Sequence, residues 1–153
     1  MEVERSRPGR DGEPPVLRRR GCAATIVVMS ATLSGLVLGT PSPPVLADFY
    51  RALLGWSEVS RAPEWARIRP EDSAGPGLSF QLERDFVPPA WPSRPGGQQL
   101  QAHLDIRVDD LQAETARAVA LGATVEEHQP QPDGVRVLRD PHGNLFCLFL
   151  PGY

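Results

Sequence analysis

From Leu104 onward, apolar and polar positions change period in a fixed order. In His103–Asp109, Leu104, Ile106 and Val108 fall on one side and His103, Asp105 and Arg107 on the other. Such alternation is the pattern of a half-buried strand. Asp109-Asp110 then stops the strand and offers side-chain oxygens to cap a helix. The spacing of Leu111, Thr115, Ala118, Val119 and Leu121 predicts that helix, with Gly122 at its C′ position. Ala123–Glu127 reads as a strand, followed by a proline-rich hairpin through Asp133-Gly134. Val135–Leu138 is a third strand, Asp140-Pro-His-Gly-Asn144 a turn, and the nearly all-apolar Leu145–Leu150 a fourth strand. The predicted order is β-α-β-β-β.

The same order occurs earlier in the chain. Leu33–Gly39 reads as a strand, and Thr40–Pro44 as a turn that opens a helix, since proline is tolerated in a first turn. Val45, Leu46, Phe49 and Leu53 recur at helical spacing with Tyr50 on the flank, and Leu54-Gly55-Trp56 ends the helix. Glu58–Arg61, Trp65–Arg69 and Leu78–Glu83 read as strands. The chain therefore carries a weak internal repeat, which predicts a pseudo-twofold architecture. Module one spans residues 33–84, a linker 85–99 and module two 100–150. Within the proline- and glycine-rich linker, Trp91 is placed either over a pocket mouth or against a sheet edge.

Composition narrows the functional classes. A chain of 153 residues, 41% of them hydrophobic, suits one globular domain with a real core. Its net charge of −3 argues against nucleic acid or an anionic membrane as the main partner. Cys22 and Cys147 are too far apart in sequence for a metal-type spacing, and nothing about them requires an oxidising compartment. No phosphate loop, nucleophile elbow or dinucleotide fingerprint occurs. Residues 1–28 are basic and poor in apolar residues up to Arg20, then apolar from Gly21. They read as a disordered extension preceding a start at Met29, or as the charged and apolar regions of a signal peptide. The first reading is preferred, because cleavage beyond Leu38 would remove a sheet member. The domain proper is then 29–153, and a cytoplasmic location follows.

Three segments together resemble a known superfamily. They are the Asp140-Pro-His-Gly-Asn144 turn, the strand carrying His103, Asp105, Val108 and Asp109, and Asp48-Phe-Tyr-Arg-Ala-Leu-Leu-Gly-Trp56. The chain resembles the vicinal-oxygen-chelate superfamily of glyoxalase I, bleomycin-resistance proteins and extradiol dioxygenases. The resemblance implies an α+β fold, with two βαβββ modules forming curved mixed sheets around a central cavity. Metal-bearing relatives take two ligands from each module, usually His, Gln or Glu, so that lone pairs converge on one ion. The matching positions here are His103 and Cys147 in module two, and Ser34 or Gly35 and a position near Gln81 in module one. Cysteine where glutamate is expected, and serine or glycine on the first strand, depart from the metal pattern.

The chain is therefore expected to bind a small organic molecule in its sheet cavity without a metal centre. Pocket candidates are His103, Gln81, Cys147, Asp105, Trp65 and Phe80, with Trp56 as a further apolar wall. His103 is either a structural strand-start histidine or a ligand contact oriented by Asp105, and His142 reads as a solvated turn residue. Two alternatives stand beside this. One is a metal-dependent lyase or dioxygenase with a divalent ion at His103, Gln81 and Cys147. The other is an interaction protein with a vestigial pocket. A small-molecule ligand, no nucleic acid, no membrane, and a monomer or homodimer complete the expectation.

Overall fold

The computed structural model describes residues 31–72 and 75–153, so the reading of residues 1–28 lies outside the described residues. Module one is β1 (Gly35–Thr40), α1 (Pro43–Leu54), β2 (Ser57–Ala62), β3 (Trp65–Arg69) and β4 (Gly77–Leu82). Module two is β5 (Leu104–Arg107), α2 (Leu111–Ala120), β6 (Thr124–Val125), β7 (Val135–Arg139) and β8 (Leu145–Phe149). Each forms a four-stranded mixed sheet, in the orders β1-β4-β3-β2 and β5-β8-β7-β6. The first strand of each module pairs in parallel with the last, and the other neighbours are antiparallel. The two sheets do not close into a barrel. Among the described residues, no helix is long and apolar enough to cross a membrane.

Local chemistry sets the helix ends. α1 opens on Pro43 and Pro44 and stops at Gly55, whose φ of 67° is the left-handed conformation a Cβ disfavours. α2 is capped by Asp110, whose side chain accepts from Ala113 N at 2.9 Å. β6 is shorter than the alternation around it suggests, because a side chain takes over its pairing. Gln129 Nε2 donates to Glu126 O and Val137 O, and Gln129 Oε1 accepts from Val137 N.

The alternating residues Ala66, Ile68, Leu78 and Phe80 turn one face of the first sheet into a fully or nearly fully buried core. α1 packs on that sheet and buries Leu46, Phe49, Tyr50 and Leu53. Tyr50 stacks on Phe80 at 5.7 Å and meets Phe146 of the second sheet edge-on at 6.1 Å. Each such ring contributes roughly 1.5–3 kcal/mol of burial, so this aromatic group is a principal tie between the modules.

Polar bonds add a second tie at the 140–144 turn. Tyr50 Oη donates to Asp140 Oδ2 at 3.2 Å, and Asn144 Nδ2 donates to Gly39 O at 3.3 Å. His142 is part of it rather than a solvated turn residue: its Nδ1 lies 2.6 Å from Thr40 Oγ1, partly buried. Arg117 of α2 donates to Ala52 O and Leu53 O at the end of α1. The linker lies along module two, where Arg139 donates to Pro89 O and ion-pairs with Glu126. Trp91 donates to His128 O at 2.9 Å, its ring beside the His128 ring, so it sits against a loop of module two.

Candidate functional site

A cavity of about 420 Å³ opens between the two sheets, where β1 and β5 face each other. Leu33, Gly35 and Leu36 form one wall, Gly77 and Leu78 of β4 continue it, and Leu104, Asp105 and Ile106 of β5 form the opposite wall. Leu54 and Trp56, at the end of α1, also line it. The lining is almost wholly apolar, and Asp105 is its one charged residue among those described. Leu33 is 76% exposed and Leu36 37%, so the cavity reaches the surface along β1.

A polar cluster adjoins the β5 wall. Parallel pairing sets Asp105 beside Cys147, and His103 precedes β5 on the same face as Asp105. His103 Nε2 lies 3.1 Å from Asp105 Oδ1, and both side chains are substantially exposed. One ligand atom from each of His103, Asp105 and Cys147 falls within 4.8 Å of the others. Burial, then the charge of Asp105 and its hydrogen bond to the thiol, push Cys147 up to about 11. At neutral pH the half-buried cysteine is a protonated thiol.

Other expected site residues lie elsewhere. Phe80 is fully buried in the helix-facing core, stacked on Tyr50, and does not line the cavity. Trp65 opens β3, paired across the sheet with Gln81, and Gln81 Nε2 donates to Glu83 Oε1 at 3.0 Å on the exposed surface. Trp56 does line the cavity. Leu36, Leu78, Leu104 and Ile106 carry strand alternation that reads as core. The signal that would have found them is their place on strands flanking the gap between modules.

An imidazole, a carboxylate and a thiolate within reach of one point form a zinc-type donor set with room for a fourth ligand. The fit to the superfamily's four-donor arrangement is incomplete. All three donors come from module two, and the first-strand position of module one falls at Ser34 or Gly35, where a histidine or carboxylate is needed. A cation would also have to displace the proton that burial, and then Asp105, keep on Cys147.

The fold and cavity define a two-module protein of the glyoxalase and bleomycin-resistance type. The chain belongs to the glyoxalase-like domain family, whose sequence profile matches residues 35–149. No curated protein matches it. Among solved structures, it is similar to a glyoxalase/bleomycin resistance protein/dioxygenase family enzyme from Burkholderia phytofirmans. That likeness has 21% identity and a TM-score of 0.59, covering 78% of this chain and 98% of that one. A glyoxalase-related enzyme from Fulvimarina pelagi gives 20% identity and a TM-score of 0.56, covering 78% and 87%. The bleomycin-binding protein of Streptomyces verticillus, solved with copper(II)-bleomycin, gives 16% identity and a TM-score of 0.53, covering 80% and 98%.

Proposed function

We propose that the chain binds a small organic molecule with a largely apolar body in the cavity between β1, β4 and β5. The observation that carries this reading is an open cavity of about 420 Å³ with apolar walls from both modules and one carboxylate, Asp105. Filling a cavity of this kind removes apolar surface from water, while a few polar groups set orientation. A protein of the same fold is known in complex with copper(II)-bleomycin, which supports small-molecule capture as a use of this scaffold. The binding is metal-free in this reading, because the first-strand match falls at Ser34 or Gly35 rather than at a histidine or carboxylate, and Cys147 is protonated. The protein then acts as a monomer or homodimer, with neither nucleic acid nor a membrane as its partner.

Thermal-shift screening against aromatic and glycopeptide-like compounds tests the reading. At least one aromatic class is expected to raise the melting temperature, and Leu36→Trp, which fills the cavity from β1, is expected to abolish that rise. A rise that persists in Leu36→Trp places the ligand elsewhere and defeats the proposal.

The His103–Asp105–Cys147 cluster favours a second reading, a metal-dependent lyase or dioxygenase. Those three residues would hold a divalent ion, which would supply Lewis-acid polarisation of a ligand oxygen. Stoichiometric metal in protein purified without chelators, lost in His103→Ala, would select this reading over the first.

A further inference from the structure

Two arginines, Arg67 and Arg69, sit at alternate positions of β3, on the face opposite the buried Ala66 and Ile68. Neither lines the cavity, but both side chains reach backbone next to its lining. Arg67 Nη2 lies 3.4 Å from Ser34 O, between the cavity-lining Leu33 and Gly35. Arg69 Nη2 lies 3.3 Å from Gly75 O, two residues before the cavity-lining Gly77.

The sheet beneath them is bare by sequence. Gly35 and Gly77 are paired in register, and a Cβ on Gly77 would stand 2.7 Å from Arg69 Cγ. A side chain at 77 would therefore displace the arginine stem. Among the described residues the two guanidiniums make one long backbone bond each, although each carries five donors. The Nε atoms of both are buried without an acceptor, and neither arginine ion-pairs with a carboxylate among the described residues. A buried donor without a partner is a cost to the fold.

We propose that Arg67 and Arg69 recognise a carboxylate, so that the ligand is an amphipathic organic acid. Its apolar body lies in the cavity and its carboxylate at the β3–β4 rim. The planar, two-oxygen carboxylate matches the donor fork of a guanidinium. Asp105 on the opposite wall repels the same group and fixes the ligand's direction. The inference rests on the cavity reading above and names the ligand class for it.

The test uses a matched pair, 4-phenylbutyrate and its neutral amide, titrated calorimetrically into the full chain. The carboxylate is expected to bind about tenfold more tightly or better, with the preference falling as salt rises. Arg67→Gln and Arg69→Gln are each expected to reduce that preference, leaving the amide's affinity unchanged. Arg69→Lys, which keeps charge but loses the fork, is expected to retain part of it, and covers the case in which a glutamine variant fails to fold. Equal binding of acid and amide by the unmodified chain overturns the arginine proposal and leaves the cavity reading standing. So does a preference that survives both glutamine substitutions. Failure of both compounds to bind at millimolar concentration overturns both.

Discussion

Replacing Tyr50 with phenylalanine removes one oxygen and leaves the aromatic stack intact. Tyr50 is fully buried, and its hydroxyl donates to Asp140 Oδ2 at 3.2 Å. Asp140 is only 3% exposed, and its other oxygen already accepts from His142 N and Asn144 N. Oδ2 then loses its tyrosine donor while it remains buried. The expected cost is about 1–3 kcal/mol, with no cavity term because the ring is retained. In equilibrium urea unfolding this is a fall of about 1 M in midpoint at unchanged slope.

The cost also has a defined pH dependence. Burial, the largest cause, raises the Asp140 carboxyl above its ordinary value of 3.8, against the pull of its hydrogen-bond donors. A raised carboxyl contributes its stability below the unfolded pKa and loses it as pH rises through the folded one. Tyr50 stabilises the ionised form, so its removal raises the folded pKa further. The deficit of Tyr50→Phe is therefore expected to be full at neutral pH and to shrink as pH falls towards 3.8. A double-mutant cycle with Asp140→Asn isolates the pair. A deficit below about 0.5 kcal/mol at neutral pH, or one identical at acid pH, would refute the claim that this bond ties the modules.

Other expectations concern single groups. Asp110→Ala removes the α2 cap on Ala113 N and should cost about 1 kcal/mol, read by the same unfolding assay. Cys147, raised from 9.0 to about 11, should alkylate near neutral pH about 100-fold more slowly than an ordinary thiol. Asp105→Asn should recover part of that rate, but not all, because burial is the largest cause. A rate unchanged in that variant would break the assignment. Elemental analysis of protein purified without chelators is expected to find no stoichiometric metal. Added Zn²⁺ is expected to leave the melting temperature unmoved; a rise that disappears in His103→Ala would reverse this.

The elements were legible because each is announced locally. Asp110 and Gly122 bracket α2, Gly55 closes α1, and the alternation of Leu104 with Ile106 declares β5. What local pattern could not show is which surfaces the two modules turn towards each other. Phe80 has the same apolar character as Leu78, yet Phe80 meets Tyr50 in the core while Leu78 reaches the cavity. His142 looks like a polar turn residue until the fold brings Thr40, 102 positions away, to its ring. Arg67 and Arg69 alternate with Ala66 and Ile68 along the Trp65–Arg69 strand and carry no motif. Their significance depends on the glycines of neighbouring strands, which only pairing reveals.

Asp105 is where the competing readings meet, because it serves the cavity wall and the polar cluster at once. If the cluster were a metal site, Asp105 would be a ligand, and its neutralisation would weaken cation binding. If the site takes an organic acid, Asp105 is a repulsive wall, and Asp105→Asn should tighten the acid while leaving its amide unaffected. The substitution moves the two outcomes in opposite directions. The present geometry favours repulsion: Asp105 is already engaged by His103 at 3.1 Å and by the Cys147 thiol. An anion brought to β5 would find its negative edge, while Arg67 and Arg69 of β3 still lack acceptors for both Nε donors among the described residues.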